Sequence, residues 1–437
     1  MSGTQQTAIP PRRGAGGYVM VMALLILAVL FVLGSSFLSL MQGESQIAVS
    51  DRDLMLALNA AEAGVQQALR NAKAAASLTT LLLDSTPNTG KDGSGTLQRD
   101  VRSGTLQSNV TYGFSIANDP AESGTTTDNN SMIMITSWGR VANATRIIEL
   151  VTYIPKLPGF PAAIYAPGTE GDSSFSGVSL VVDGHDTDPV TENPTGGVTK
   201  LGVGAGSVAV RNTIYNALSN AERTRPVFQG TAGDYAGQPS LGVDATLTSA
   251  QVATMAAAYG SFASPQNTVQ LSAGGSLSIG GRHEYANGSL GGPNSSNNQG
   301  WGTRTSPNLY KISGNTQAQY NANNAIATPT LNISGDFEGA GILILDGAYL
   351  NISGNFRWEG IIIVTGPKIG ISVGGGGNQK IFGTVMVNET GASRCGSAIC
   401  DELILLGNPT LYYSQTAINN ASRALGARVT YWNERGT

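Results

Sequence analysis

Charged and aromatic residues are scarce in this sequence. Asp, Glu, Lys and Arg make up 12% of its 437 residues and aromatic residues 6%, whereas glycine occurs 57 times. The net charge is −4, and the only run of basic residues is the pair Arg12 and Arg13. Nucleic-acid binding needs a basic surface, so we expect no nucleic-acid partner. Little charge and abundant glycine are typical of a turn-rich β protein.

Cysteine and histidine are almost absent, with two residues of each. The cysteines, Cys395 and Cys400, have no histidine nearby and supply too few ligands for a tetrahedral zinc site. In an exported chain we expect them to form a small loop-closing disulfide, with free thiols as the alternative.

The first long apolar run extends from Tyr18 to Met41 and contains no charged residue. Its length matches the roughly 20 residues that cross a bilayer, and it exceeds the apolar core of a cleaved secretory signal. Because Arg12 and Arg13 precede the run, the positive-inside rule places residues 1–17 in the cytoplasm and exports the rest. We therefore predict a single-pass membrane helix with a cytoplasmic N-terminus.

Helical periodicity continues beyond this apolar run. On an otherwise polar segment, apolar residues recur at spacings of three and four: Ile47, Leu54, Leu58, Ala61, Val65, Ala68 and Ala72. The pattern predicts one continuous helix over residues 18–77, half in lipid and half packed against a globular part that covers the stripe.

The N-terminal region resembles a known family. The Arg-Arg pair, the Gly-rich segment 14–17, the apolar helix and the sequence Ala57-Leu-Asn-Ala-Ala-Glu-Ala-Gly64 are similar to the N-terminal domain of PilX-type minor pilins of type IV pili, over residues 11–73. The resemblance implies cleavage by a prepilin peptidase between Gly17 and Tyr18. It also implies that the helix packs against major pilins and other minor pilins in a fibre.

One position departs from the common pilin pattern. Most pilins carry a glutamate five residues into the mature chain, whereas this sequence has Met22, as the PilX-type group and tip-located pseudopilins do. A carboxylate among apolar helices needs the terminal amine of a neighbouring subunit as its partner. A subunit without this carboxylate suits the end of a fibre. Glu62 matches the family motif, and either a solvated helix face or a contact between subunits explains it.

Two β-rich regions are predicted after the helix. Residues 78–155 contain alternating strands that we interpret as a pilin-like β sheet covering the apolar stripe. Residues 162–437 carry an internal repeat, in which 331–347 is echoed by 350–366 at an offset of 19 residues. Repeats too short to bury their own apolar face are typical of a stacked solenoid. The predicted fold class is therefore α+β, with an irregular β-helix as the large domain and a β-sandwich as the alternative.

Four short motifs are candidates for chemistry. Residues 171–174 (GDSS) resemble the nucleophile block of one lipase and esterase class, but no histidine follows near the chain end. Residues 183–188 group three carboxylates that suit either calcium or a Gly/Asp turn. The glycines of 202–206 and 374–377 lack the spacing of a phosphate-binding loop. We expect no cofactor.

A structural role is favoured over an enzymatic one. Some β-helices cleave polysaccharides, but the acidic residues of the repeats, Asp336, Glu338 and Glu359, are scattered. A binding surface for a sugar or a partner protein is a further alternative. Its candidate side chains are Asn332, Tyr349, Asn351, Trp358 and Tyr412. We predict a minor pilin that helps to initiate assembly, forms the tip, presents an adhesin or adheres itself. The alternatives are a surface adhesin unrelated to pili and a polysaccharide-active enzyme.

Overall fold

The structure is a computed structural model that describes residues 16–75, 77–83, 102–122, 126–223, 225, 227–234, 240–283, 301–391 and 402–436. The chain divides into two compact units. The smaller unit contains the described residues up to Tyr153 and from Arg428 onward, and the larger unit contains those from Ile154 to Ala427. The predicted α+β class is confirmed, with a long apolar N-terminal helix and a large β-rich unit.

The smaller unit begins with a single long helix. Helix α1 (Gly16–Ala74) has 59 residues, and it is followed by the short helix α2 (Leu78–Leu83). At 1.5 Å of rise per residue, α1 is about 88 Å long. The predicted continuation of the apolar helix into the polar segment is therefore confirmed.

An antiparallel sheet completes the smaller unit. Its five strands lie in the order β1-β2-β3-β4-β23. Their bounds are β1 (Arg102–Gln107), β2 (Val110–Asn118), β3 (Met132–Val141), β4 (Ala144–Tyr153) and β23 (Arg428–Gly436). Helix α1 packs on this sheet, chiefly against β3, β2 and β4.

The last strand lies outside the domain in which the sequence predicts it. The sequence interpretation placed residues 428–436 in the large domain, whereas β23 pairs with β4 from Arg428 opposite Tyr153 to Gly436 opposite Arg146. Without β23, one edge of β4 would expose a row of unpaired backbone groups. The end of the chain therefore belongs to the smaller unit.

The larger unit is built from parallel strands and short helices. Its strands are β5 (Ala162–Ala166), β6 (Ser173–Ser176), β7 (Val181–Asp183), β8 (Leu201–Ala205), β9 (Phe228–Gln229), β10 (Leu241–Val243), β11 (Thr268–Gln270), β12 (Ser276–Ile279), β13 (Arg282–His283), β14 (Asn308–Ser313), β15 (Thr330–Ile333), β16 (Asp336–Asp346), β17 (Tyr349–Ile352), β18 (Asn355–Gly366), β19 (Gly370–Val373), β20 (Gln379–Glu389), β21 (Leu403–Leu406) and β22 (Thr410–Tyr413). Its helices are α3 (Val208–Ala217), α4 (Asn220–Arg223), α5 (Ser249–Gly260), α6 (Gln317–Ala322) and α7 (Gln415–Ala421), with short 3-10 turns at Pro265–Asn267 and Ser422–Ala424.

These strands form two sheets. The larger sheet has twelve strands and follows the path β10-β8-β5-β20-β18-β16-β14-β11, with β13, β22, β7 and β9 attached beside it. The smaller has six strands in the order β12-β15-β17-β19-β21-β6. The long strands β16, β18 and β20 lie side by side in parallel register, and their apolar residues form the centre of the core.

The internal repeat aligns in space at the same offset as in the sequence. Leu331 lies opposite Leu350, and Phe337 lies opposite Phe356, which is a shift of 19 residues in both sheets. The rings of the two phenylalanines stack with their centroids 5.4 Å apart. Each repeat thus supplies one short and one long strand, and it buries its apolar side chains against those of the next repeat.

A column of glycines marks one level of the long strands. Gly341, Gly360 and Gly383 are paired in register and have φ values of 126°, 140° and 137°. A Cβ atom on Gly360 would lie 2.0 Å from the carbonyl oxygen of Gly341, and one on Gly383 would lie 1.8 Å from that of Gly360. Glycine is therefore required at this level of each strand.

Candidate functional site: the N-terminal helix

The first half of α1 exposes large apolar side chains on every side. From Tyr18 to Met41 their exposed fractions range from 47% at Met22 to 76% at Phe31. The most apolar window of the helix has a mean hydropathy of 2.7, and the helix is long and apolar enough to cross a membrane. The hydroxyls of Ser35 and Ser36 both donate to the carbonyl oxygen of Val32, which satisfies them within the helix. This half needs lipid or other apolar helices around it.

The second half of α1 is covered by the sheet of its own unit. Most of the predicted stripe is buried, namely Ala61, Val65, Ala68 and Ala72. Leu54 and Leu58 are half-buried, whereas Ile47 is 63% exposed and lies beyond the covered part of the helix. The buried residues are small, so the helix backbone approaches the sheet closely.

The close approach involves atoms of both backbones. The Ser137 hydroxyl donates to the carbonyl oxygen of Ala61 at 2.7 Å. A Cβ atom on Gly139 would lie 1.9 Å from the carbonyl oxygen of Ala57, and one on Gly64 would lie 2.2 Å from Ser137 Oγ. The Ala57 to Gly64 motif therefore packs the helix against the sheet. Sequence reasoning missed the partners Ser137 and Gly139, although a glycine within a strand often marks such an approach.

Glu62 lies on the opposite, exposed face of this motif. Among the described residues, its carboxylate forms no ion pair or side-chain hydrogen bond. Both predicted explanations, a solvated face and a contact between subunits, remain compatible with this position. Met22 lies on the exposed apolar surface, and Tyr18 begins that surface next to Gly17. Cleavage between Gly17 and Tyr18 stays a prediction.

The other motifs of the sequence lie in the larger unit, except that Cys395 and Cys400 fall outside the described residues. In the GDSS segment the Ser173 hydroxyl donates to the carbonyl oxygen of Gly171 at 2.7 Å. His185 Nδ1 lies 2.6 Å from Asp183 Oδ1 instead. Within the described part of the chain, the serine and the histidine therefore do not form a pair of the kind that activates a nucleophile.

The three carboxylates of residues 183–188 have separate hydrogen-bond partners. Asp183 Oδ1 accepts from the backbone N–H of His185, and Asp186 accepts from the Thr195 hydroxyl and the backbone N–H of Gln415. Asp188 Oδ1 accepts from two backbone N–H groups, and these bonds lower the pKa of Asp188. Asp183 and Asp188 close turns, Asp186 also joins the loop to the first residue of α7, and the three carboxylates are not gathered around one point.

An ion-pair network includes Glu359, which sequence reasoning treated as isolated. Glu359 is buried and accepts from Arg304 at 2.5 and 2.7 Å and from Arg357 at 3.0 Å. Arg357 also binds Glu192, which Lys380 contacts at 2.5 Å. Burial alone would raise the pKa of Glu192, but the hydrogen bonds from Lys380 and Arg357 outweigh it and lower that pKa.

Trp358 does not belong to a binding surface. Its side chain is fully buried, so the suggestion that it contacts a sugar was wrong. Its ring lies against Gly339, where a Cβ atom would approach it to 2.3 Å, and edge-on to Tyr310. Asn332 and Asn351 are half-buried and hydrogen-bonded to each other at 3.0 Å, as expected for a structural ladder.

Comparisons with known proteins add little to this site. No protein-family model matches the chain, and no curated protein matches it. The solved structure of the competence-associated pilin ComZ from Thermus thermophilus aligns over 88% of this chain and 98% of its own, at 12% sequence identity and a TM-score of 0.22. A TM-score this low does not establish a shared fold.

Proposed function

We propose that this chain is a structural minor pilin of a type IV pilus or a related fibre. Helix α1 carries the proposal, because its first half is apolar on every side and its second half is packed on an antiparallel sheet. Such a helix is stable first in a bilayer and later in a fibre whose core is a bundle of similar helices. The resemblance of residues 11–73 to PilX-type pilins supports the same role.

In this role, each N-terminal residue that the sequence predicts to be functional has a separate task. Residues 1–17 form a cytoplasmic leader, and prepilin peptidase cleaves between Gly17 and Tyr18. The helix then leaves the inner membrane and packs against other minor and major pilins. Because Met22 replaces the usual glutamate, the subunit has no buried carboxylate in search of a partner amine. This supports a place at the tip, where the chain helps to initiate assembly.

For the larger unit we propose an irregular β-helix with a role in adhesion or in presenting an adhesin. Parallel strands paired at the 19-residue offset of the repeat support a stacked solenoid over a sandwich, whose sheets are antiparallel. The GDSS serine bonds to Gly171, and Glu359 is engaged by two arginines, which supports a structural role over a catalytic one.

The test is the mature N-terminus of the protein purified from a piliated host. Mass spectrometry is expected to find a chain that starts at Tyr18. The variant Gly17→Val is expected to keep residues 1–17 and to be missing from sheared fibres, because a branched side chain replaces the residue before the cleaved bond. Gly16→Ala, one position earlier, is the matched control and is expected to be processed normally. A wild-type chain that is intact, or cut elsewhere, contradicts the proposal.

A further inference from the structure

Polar side chains line a groove on the larger unit, where its three long strands begin. The groove has a volume of about 410 Å³, which lies in the range of small-ligand sites. The intervening residues Phe337 and Phe356 are buried in the core, so the polar side chains belong to the outer face of the sheet. They come from β16, β18, β20 and the residue just before β20, namely Asp336, Glu338, Asn355, Arg357, Asn378 and Lys380.

These side chains form two rows that cross the strands. In the first row, Asp336 lies opposite Asn355, and the backbone N–H of Asn378 donates to Asn355 Oδ1 at 2.9 Å. The second row is paired in register two residues further along each strand, and it consists of Glu338, Arg357 and Lys380. Neighbouring strands are about 4.8 Å apart, and two residues along a strand span about 6.6 Å. Polar groups therefore recur at regular spacing in both directions.

Hydrogen bonds within the first row fix its orientation and leave groups available to a ligand. Asn355 Nδ2 donates to Asp336 Oδ1 at 2.7 Å. In the part of the chain that the structure describes, Asp336 Oδ2 and the side-chain amide of Asn378 have no protein partner. Groups that are already oriented lose little freedom when a ligand binds. The first row thus offers a free acceptor and a free amide on a rigid strand pair.

The basic side chains of the second row are already paired. Arg357 donates to Glu192 at 2.9 Å and to Glu359 at 3.0 Å, and Lys380 donates to Glu192 at 2.5 Å. Glu192 belongs to the segment between β7 and β8, which therefore holds both cations beside the groove. An anionic ligand would find these cations neutralised, and the two carboxylates of β16 would repel it. The lining favours a ligand without net charge.

We propose that this groove binds a neutral glycan through its hydroxyl groups. A hydroxyl both donates and accepts, so it matches a lining that mixes carboxylate, amide and ammonium groups. A sugar ring carries hydroxyls on both edges, and successive rings of an extended glycan have a spacing similar to that of neighbouring strands. Asn355 and Asn378 are exposed, so the groove is open and a chain can lie across the strands. The inference rests on the adhesive role proposed for the larger unit and names its ligand class.

The test begins with a glycan array that displays neutral, uronic-acid and sulfated glycans. The probe is the purified full chain, kept in a detergent without a sugar headgroup, and it is expected to bind neutral glycans in preference to the charged ones. Isothermal titration calorimetry then measures the affinity for the best array glycan in soluble form. This affinity is expected to be insensitive to added salt, because a neutral ligand forms no ion pair.

A double variant removes the free groups of the first row. Asp336→Ala combined with Asn378→Ala is expected to weaken binding of the same glycan about tenfold or more, since two hydrogen bonds are lost. The matched control combines Asp346→Ala with Asn324→Ala, which removes one exposed aspartate and one exposed asparagine of the same unit outside the groove. It is expected to bind like the wild type. Thermal unfolding of both variants is expected to remain near that of the wild type.

Three results would overturn the proposal. The wild type binds no neutral glycan of the array. Alternatively, the groove variant folds like the wild type and binds the glycan equally tightly. Finally, charged glycans bind best and lose affinity as salt is added. The fibre proposal is tested by the mature N-terminus at Tyr18, which none of these measurements involves, so either proposal can fail alone.

Discussion

The two halves of helix α1 share one backbone and have opposite surroundings. The first half carries Leu, Val, Ile, Met and Phe side chains that are all exposed, whereas the second half buries mainly alanines. The contact surface of each half is apolar, so the two halves do not differ in the hydrophobicity of that surface. They differ in the size of the side chains that form it.

Small side chains allow the sheet to reach the backbone of the helix. Ser137 bonds directly to a carbonyl group of the helix, and Gly139 leaves no room for a Cβ atom. Bulky side chains keep other backbones away and offer a broad surface that lipid tails or neighbouring helices can fit. The difference indicates which half is covered within the chain and which half is covered by something outside it.

A charge in the first half is expected to have the largest effect. Leu30→Arg places a cation in the middle of the apolar run, and insertion into a bilayer is expected to become less favourable by about 2.5–3.5 kcal/mol. Carbonate extraction of membranes measures the loss. Met55→Arg, on an exposed position of the second half, is the control and should remain membrane-bound. Equal extraction of both variants would remove the distinction between the halves.

A single methyl group is expected to disturb the second half. Gly139→Ala forces a Cβ atom into the carbonyl group of Ala57, and overpacking of this kind costs about 1–3 kcal/mol. Chemical denaturation of the full chain measures it through the unfolding of the smaller unit. Gly159→Ala, where a Cβ atom meets no atom within 4 Å, is the control. If both variants unfold alike, the helix and the sheet are not in close contact.

Loss of the hydrogen bond between helix and sheet is expected to be milder. Ser137→Ala removes the donor to the carbonyl oxygen of Ala61, which should lower the free energy of unfolding by about 1 kcal/mol. The same denaturation experiment detects it. Ser35→Ala in the first half is the control, since that hydroxyl bonds only within its own helix. An unchanged midpoint for Ser137→Ala would mean that packing alone joins the two elements.

The smallest effect on stability is expected at Glu62. Because this side chain is exposed, Glu62→Gln should change the free energy of unfolding by less than about 0.5 kcal/mol. Recovery of the variant in sheared fibres then separates the two explanations of this residue. Reduced recovery with unchanged stability indicates a contact between subunits, whereas normal recovery indicates a solvated face.

Local and periodic features of this fold could be predicted from the sequence. The apolar run and the stripe that ends at Ala72 predicted α1, because helical periodicity is visible within a few turns. The 19-residue repeat is also visible in the sequence, and its equivalent residues Leu331 and Leu350 lie opposite each other in the structure. In both cases the residues that interact also share a recognisable sequence pattern.

Contacts between distant residues left no such pattern. The pairing of β23 with β4 joins residues 428–436 to residues 146–153, and no sequence pattern in either segment identifies the other as its partner. The carboxylates of Glu170, Glu389 and Glu402 lie within 4.8 Å of one another although they come from three separate segments, because parallel strands bring these segments together. The burial of Trp358 likewise depends on Gly339 in the preceding repeat, because only the absence of a side chain there makes room for its ring.

The pairing of Tyr153 with Arg428 has a consequence for the architecture of the chain. The polypeptide leaves the five-stranded sheet and returns to it at directly opposed positions, so the 274 residues between them are an insertion between two adjacent strands. A two-residue Asn-Gly turn would be long enough to replace the whole insertion and join β4 to β23 as a hairpin. The pairing of β4 with β23 is thus compatible with connecting segments of very different length.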